Sequence, residues 1–362
     1  MSEDKMVREG QKQDEDLPAG LSVPAGNTGK AAPKRTRWNK LLLSLCIIGL
    51  VVFGFLFINE AFIKPYQVEK SVELSRELYE KAEPVDTVAA PEVTASAITA
   101  PATPVEEPAR DSQGRLLQFK NLLEESPDVK GWINIPDTNI DYVVAQGTED
   151  EPDYFLDKDI RGDYSKAGTL YLDISSSVEK DDTTRNLVIH GHNMVSTKEK
   201  MFHCLLDYKK AGYYKEHSVI TFDTIYNTGQ WKVFAVFITN GSSAKEPLFD
   251  YRKADFKDAS DFLNFVYQIR IRSILNTSVD INENDQILCL STCSYEVDDY
   301  RTVIVARRVR DGEEPTVDVE ATEVNPAPLY PASYYYRYGG KAPKLYETFE
   351  EALGNGAISW YQ

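Results

Sequence analysis

The chain has 362 residues, with 57 acidic and 40 basic side chains and a formal net charge of −17 at pH 7. Because phosphate binding needs a basic face, this balance argues against a nucleic-acid partner. The length could hold two domains, but the composition along the chain favours one catalytic domain of roughly 200 residues with flanking segments. Four scattered cysteines are too few for a disulfide framework, so free thiols are expected.

The N-terminal part has the pattern of a membrane tether. Residues 1–40 are polar and are predicted to form a disordered cytoplasmic tail. Residues 41–58 carry no charge and are long enough to span a membrane as a helix. Basic residues precede this run and no small-x-small cleavage site follows, which favours a single-pass signal anchor over a cleaved signal peptide. Residues 59–110 are predicted to be an extracellular stalk, with a charged helix at 66–81 followed by a spacer rich in Ala, Pro and Thr.

Residues 111–311 have the periodicity of a mostly β catalytic domain. Runs rich in Val, Ile, Tyr and Phe, bounded by turn residues, predict eight strands at 130–135, 140–145, 169–172, 186–190, 219–223, 230–239, 286–292 and 302–309. Apolar spacing predicts a helix around 116–123 and a second at 258–274, capped by Asp258 or Ser260. These elements predict a barrel or a sandwich with a few helices, and periodicity alone does not separate the two.

Residues 312–362 form a Tyr-rich extension with a different composition. The segment starts with an acidic linker, which is expected to isolate it from the barrel, and has five tyrosines within 330–338. A short helix is predicted at 344–353, with its leucines and Phe349 facing inward. We predict that this extension is accessory to the barrel, with its tyrosines either solvated or docked on the barrel or on wall glycan.

Three reactive side chains each lie at the end of an apolar run. Cys293 ends the strongest predicted strand, His192 lies 101 residues earlier (293 − 192), and Arg301 opens the last strand eight residues later (301 − 293). A thiolate attacks carbonyls, an imidazole transfers protons and a guanidinium can hold an oxyanion. The spacing of eight places Arg301 opposite Cys293 in a hairpin. The pattern predicts covalent cysteine chemistry on an acyl group, rather than a structural cysteine and a surface arginine.

The four histidines allow another interpretation. His190 and His192 form a His-x-His pair, which is a common metal-ligand arrangement. No nearby carboxylate or cysteine completes a zinc site at familiar spacing, so no metal and no other cofactor is predicted. His192 follows Gly191, where the strand gives way to a loop, and is predicted to carry the proton. His190, His203 and His217 are predicted to be core histidines whose hydrogen bonds go to the backbone.

Three short motifs together resemble the sortases, the cysteine transpeptidases on the surface of Gram-positive bacteria. They are Leu-Ser-Thr-Cys at 290–293, Gly-His-Asn-Met at 191–194, and Arg301. The resemblance covers about 111–310, and the Gly-His-Asn-Met element and the two helices are more similar to class B than to class A. Cys289 is a departure, since sortases usually have Thr at that position.

The resemblance implies a closed eight-stranded sortase-type β-barrel with a few helices, preceded by a single transmembrane helix, with the catalytic domain outside the cell. It assigns Cys293 as nucleophile, His192 as general acid and Arg301 as oxyanion or substrate clamp. The neighbouring Ser291, Thr292 and Asn193 are assigned to substrate binding. It also implies that a C-terminal sorting signal of a surface protein is cleaved and that a thioacyl intermediate passes to an amine of peptidoglycan or its lipid-linked precursor. A purely hydrolytic cysteine peptidase and a non-catalytic wall-binding or adhesion protein remain alternatives.

Overall fold

A computed structural model describes residues 35–80, 108–194, 200–244 and 246–362. They belong to two units, the first ending at Phe57 and the second beginning at Ile58. The predicted disordered tail at 1–40 lies outside the described residues as far as residue 34, and its prediction is wrong for 35–40, which belong to the first helix. The predicted extended spacer lies outside the described residues as far as residue 107.

Helix α1 (Arg35–Ile58) contains the whole predicted apolar run. A helix spanning Trp38–Glu80 has the length and composition needed to cross a membrane, and none of its apolar window is buried within the protein. An apolar surface of this extent is unfavourable in water. The helix is therefore consistent with a membrane anchor.

Helix α2 (Lys64–Glu80) opens the second unit, after a π-helical turn at Asn59–Ile63. Its inner face packs on the barrel. The ring of Tyr79 stacks on Trp132, with centroids 4.4 Å apart and an interplanar angle of 6°. Arg76 Nε donates a hydrogen bond of 2.7 Å to Asp141 Oδ2. The predicted helix at 66–81 is thus confirmed, and it is docked on the catalytic unit.

Eight strands form a closed barrel. They are β1 (Val129–Asn134), β2 (Asp141–Ala145), β3 (Leu170–Leu172), β4 (Asn186–His190), β5 (Val219–Thr224), β6 (Gln230–Asn240), β7 (Ile287–Ser294) and β8 (Tyr300–Arg308). The order around the barrel is β1-β2-β3-β4-β7-β8-β6-β5, and β5 pairs with β1 to close it. The β2–β3 and β4–β7 pairs are parallel. All eight predicted strands are confirmed, and the closure excludes the sandwich.

Five further helices lie outside the barrel among the described residues. They are α3 (Lys120–Glu125), which follows a 3-10 turn at Leu117–Phe119, α4 (Ala211–Glu216), α5 (Ala259–Arg272), α6 (Ala332–Tyr338) and α7 (Phe349–Gly354). The side chain of Asp258 accepts a hydrogen bond of 2.9 Å from the Asp261 backbone N–H and caps α5. The two helices predicted in the catalytic domain are therefore confirmed.

Strand β7 divides its side chains between two apolar clusters. Leu288 and Leu290 point into the barrel interior, whereas Cys289 points outward into a cluster formed with α5. Because strand side chains alternate, Cys293 lies on the same outward face as Cys289. Helix α5 covers the Cys289 end of this face, and Cys293 is partly exposed at the other end.

The C-terminal segment 311–362 packs on the barrel and on α5. Glu313 accepts hydrogen bonds of 2.6 Å from Arg307 Nη1 and from Lys232 Nζ. The expectation that an acidic linker isolates this segment is therefore wrong, because the fully buried Arg307 requires the carboxylate of Glu313 as a partner. The division of the chain at residue 311 stays a prediction.

Helix α7 is shorter than the helix predicted at 344–353. Phe349 is buried, as expected, and Ala352 is buried beside it. Leu345 and Leu353 are 40% and 41% exposed, so their inward placement was wrong. The helix starts only at Phe349 because Thr348 caps it, with its side chain accepting from the Glu351 backbone N–H.

Candidate active site

Cys293 and Arg301 face each other across the β7–β8 pair. The antiparallel register aligns Cys293 with Arg301 and Ser294 with Tyr300. Directly opposed residues in such a pair have Cβ atoms about 4.5–5.5 Å apart. The hairpin arrangement predicted from the spacing of eight residues is confirmed.

His192 follows the end of β4, the other strand that neighbours β7, by two residues. The parallel β4–β7 register aligns His190 with Ser291, so its continuation by two residues brings His192 alongside Cys293. The two segments stay hydrogen bonded beyond the end of β4. Gly191 N donates a hydrogen bond of 3.1 Å to Ser291 O, and Thr292 Oγ1 donates one of 2.8 Å to Gly191 O. Cys293 therefore lies between the His192 and Arg301 positions.

Gly191 is required by close packing just before His192. A Cβ at this position would lie 2.3 Å from Leu170 Cδ2 and 2.7 Å from Phe202 Cδ2. The imidazole of the partly exposed His192 forms a 2.8 Å hydrogen bond between its Nε2 and the Leu156 carbonyl oxygen. A main-chain acceptor of this kind fixes the orientation of the ring.

The guanidinium of Arg301 is held by main-chain and carboxylate oxygens. Its Nη1 donates 3.1 Å to the carbonyl of Tyr300 and lies 3.4 Å from Asp299 Oδ1. Gly241 packs against the group, since a Cβ there would lie 2.9 Å from Arg301 Cζ. The side chain keeps 29% of its surface exposed.

Ser291, Thr292 and Asn193 all direct their polar groups into the protein. The Ser291 hydroxyl lies 2.8 Å from the Tyr251 hydroxyl. Asn193 Nδ2 donates 3.0 Å to the Cys293 carbonyl, and its Oδ1 lies 2.6 Å from His203 Nδ1. Each of the three side chains is at most 8% exposed. Their predicted substrate-binding role stays a prediction, and these contacts favour positioning of the Cys293 strand instead.

His190 has a carboxylate partner that the sequence reasoning missed. Its Nε2 lies 2.9 Å from Asp173 Oδ2. Burial raises the pKa of Asp173, but the hydrogen bonds from His190 and Ser175 outweigh it and lower the pKa to about 2. The prediction of backbone-satisfied core histidines is correct for His217, whose Nδ1 lies 3.0 Å from the Pro136 carbonyl oxygen. It is wrong for His190 and for the Nδ1 of His203, which lies 2.6 Å from the side-chain oxygen of Asn193.

The signal for Asp173 was present but incomplete. Asp173 directly follows the strand predicted at 169–172. It reaches His190 because β3 pairs with β4 in a register that aligns Tyr171 with His190. The local sequence does not indicate that β3 and β4 are neighbours in the barrel.

The four cysteines are all unpaired, as expected. Cys289 is fully buried, its Sγ donates 3.3 Å to Asn186 Oδ1, and burial raises the pKa of its thiol far above the ordinary value. Burial also raises the pKa of Cys204. Since the thiolate is the nucleophile, neither group suits attack on a carbonyl.

His190 and His192 do not converge on a common point. One ring is bonded to Asp173 and the other to the Leu156 carbonyl. Within the described part of the chain, no three His, Cys, Asp or Glu side chains are grouped closely enough to hold a metal ion.

Comparison with known proteins shows which proteins this domain is similar to. Residues 133–309 match the Sortase domain family model. Sortase B of Staphylococcus aureus is 29% identical over 195 residues, which cover 53% of this chain and 75% of that protein. Sortase B of Listeria monocytogenes is 27% identical over 181 residues, covering 50% of this chain and 69% of that protein. A crystal structure of sortase B from B. anthracis shares the fold, with a TM-score of 0.53 and 24% identity, over 68% of this chain and 97% of the other.

The barrel and these similarities identify residues 133–309 as a sortase domain, the domain of a family of cysteine transpeptidases. The similarity is to class B sortases, as the residues at 191–194 predicted. Sortases act in cell-wall sorting. The family match ends at residue 309, and the C-terminal segment lies beyond it.

Proposed function

We propose that this chain is a membrane-anchored transpeptidase. It cleaves the C-terminal sorting signal of surface proteins and joins the new carboxyl end to an amine of peptidoglycan or its lipid-linked precursor. The proposal is supported by the strand registers, which align Cys293 with Arg301 on one side of β7 and Ser291 with His190, two residues before His192, on the other. In this proposal α1 anchors the chain, residues 1–40 remain in the cytoplasm and the barrel works outside the cell.

In the first half-reaction the Cys293 thiolate attacks the carbonyl carbon before the scissile peptide bond. A C–S bond forms, and the carbonyl oxygen becomes negatively charged in the tetrahedral intermediate. Arg301 donates hydrogen bonds to that oxygen, where a preorganised cation stabilises the developing charge. The intermediate collapses when the C–N bond breaks and His192 gives its proton to the departing amine. A thioester on Cys293 remains.

In the second half-reaction an acceptor amine attacks the thioester carbonyl. The neutral His192 takes the proton of the attacking amine, and the Cys293 thiolate leaves as the new amide bond forms. The hydrogen bond from His192 Nε2 to the Leu156 carbonyl keeps the ring in place through both proton transfers. The cycle returns both groups to their starting protonation states, and no cofactor takes part.

Replacing Arg301 tests the oxyanion role. We expect Arg301→Ala and Arg301→Lys to lower kcat by roughly 10²–10³-fold, because a single oxyanion donor is typically worth that much. Lys keeps the charge but lacks the planar fork, so it should not restore the rate. Arg308→Lys on the same strand is the control and should behave like the unaltered protein. Near-normal kinetics for Arg301→Lys would mean that charge alone matters, and near-normal kinetics for Arg301→Ala would remove Arg301 from the site.

Product analysis with and without an amine tests the transpeptidase assignment. The purified full-length protein in detergent is incubated with a sorting-signal peptide, and the products are separated by chromatography. With a glycine-peptide amine present, we expect the ligated peptide to replace the hydrolysed one as the main product. If the amine changes neither the products nor the rate while cleavage continues, the protein is a hydrolytic peptidase instead.

A further inference from the structure

Helix α6 of the C-terminal segment rests on the loop that joins the two predicted catalytic strands. The loop runs from β7, which carries Cys293, to β8, which carries Arg301. The Tyr338 hydroxyl donates 2.7 Å to the main-chain carbonyl of Glu296 in this loop. At the other end of the loop, the hydroxyl of Ser333 lies 2.5 Å from the hydroxyl of Tyr300. Two turns of one helix thus hold both ends of the loop.

Ser333 is itself held firmly in place. Its backbone N–H donates 3.0 Å to Glu246 Oε2, and its hydroxyl is hydrogen bonded to Glu246 Oε1. Tyr300 is only 1% exposed. The side chain of Tyr300 therefore has a fixed partner, and Glu246 links that partner to the segment that follows β6.

The position of Tyr300 sets the position of Arg301. The guanidinium Nη1 donates 3.1 Å to the Tyr300 carbonyl. Asp299, the other oxygen partner of Arg301, has a φ of 66° and is tied to Gly241, whose N–H donates 2.5 Å to its carbonyl. Displacement of Tyr300 would therefore displace an acceptor that holds the guanidinium opposite Cys293.

We propose that α6 is a positioning element of the active site. Through Ser333 and Tyr338 it fixes the loop between the two catalytic strands, and so holds Arg301 where the oxyanion forms. The inference rests on the proposed role of Arg301, but the element lies in the segment beyond the matched sortase domain. Without it, the loop 295–299 could fluctuate, and a displacement of about 1 Å at a catalytic group can cost ~10²-fold in rate.

Two substitutions in the full-length protein, each of which removes one hydroxyl group, test the proposal. Ser333→Ala removes the partner of Tyr300, and Tyr338→Phe removes the donor to Glu296. We expect each to lower kcat by roughly 10-fold or more, with little change in KM and in the rate of Cys293 alkylation. Ser333→Thr keeps a hydroxyl and should retain activity. A variant that only lowers the thermal unfolding temperature should not show this loss of kcat.

Tyr335→Phe is the matched control on the same helix. Its hydroxyl donates 3.2 Å to Pro328 O and accepts 3.1 Å from Tyr330 N, both within the C-terminal segment. This change can loosen the segment without touching the loop, so its kcat should stay near that of the unaltered protein. An equal loss of kcat in Tyr335→Phe would assign α6 a purely structural role and overturn the proposal.

A double-variant cycle separates this inference from the proposed function. If Ser333 acts through Arg301, then Ser333→Ala should lower kcat much less in an Arg301→Ala background, because coupled residues are not additive. Full additivity would overturn the positioning role. Normal turnover of Ser333→Ala and Tyr338→Phe beside an impaired Arg301→Ala would reject the inference alone, whereas an inactive unaltered protein would reject the proposed function.

Discussion

Replacing Cys293 with Ala is expected to abolish cleavage of a sorting-signal peptide. Covalent catalysis needs the thiolate, and no other sulfur in the described site lies between an imidazole and a guanidinium position. Water cannot substitute at a comparable rate, because the intermediate that splits the reaction into two steps no longer forms. Turnover is measured by chromatography of the peptide products, and labelling by an iodoacetamide probe reports the thiol itself.

Two other cysteines provide controls for this prediction. Cys204→Ala and Cys289→Thr should keep activity, because burial raises the pKa of both thiols and makes them poor nucleophiles. Thr at 289 retains a hydroxyl that can donate to Asn186 in place of the thiol. Persistent turnover by Cys293→Ala, or its loss in Cys204→Ala with folding intact, would refute the assignment of the nucleophile.

Replacing His192 with Ala is expected to lower kcat by roughly 10²–10⁴-fold, the usual contribution of a general acid–base group. The leaving amine needs a proton as the C–N bond breaks, and the register brings His192 beside Cys293. The Leu156 carbonyl, which is an uncharged acceptor, fixes the orientation of the His192 ring. The measurement is single-turnover and steady-state cleavage of the same peptide, with the folded state checked by thermal unfolding.

His190→Gln is the matched control for His192→Ala. His190 also lies on the outward face, but its Nε2 is paired with Asp173, and Gln can still donate to that carboxylate. We expect a far smaller loss of kcat in His190→Gln than in His192→Ala. The opposite ranking would exchange the roles of the two histidines. A loss of activity on treatment with EDTA would instead favour a metal shared between them.

The strands of the barrel could be predicted from the sequence alone. The observed strand ends differ from the predicted ones by at most two residues, because each strand is an apolar, β-branched or aromatic run between turn residues. The alignment of Cys293 with Arg301 could also be predicted from their spacing, because a short loop between consecutive strands makes the strands an antiparallel pair.

Contacts between segments distant in sequence could not be predicted in the same way. The pairing of His190 with Asp173 depends on β3 lying next to β4, which is a property of the whole sheet. The acidic start of the C-terminal segment suggested a solvated linker, yet Glu313 accepts a hydrogen bond from buried Lys232, 81 residues earlier on β6. Segment composition predicts the average exposure, but a buried cation on a distant strand needs a carboxylate partner and draws that one residue inward.

The intact mass of the protein after brief incubation with a sorting-signal peptide tests the central claim most directly. We predict a mass increase equal to the acyl part of the peptide, mapped to Cys293 after proteolysis and absent in Cys293→Ala. The adduct should accumulate when no amine is supplied and disappear when a glycine-peptide amine is added, with formation of the ligated product. Cleavage of the peptide without any adduct on Cys293, even when the reaction is quenched rapidly in acid, would contradict the thioacyl mechanism.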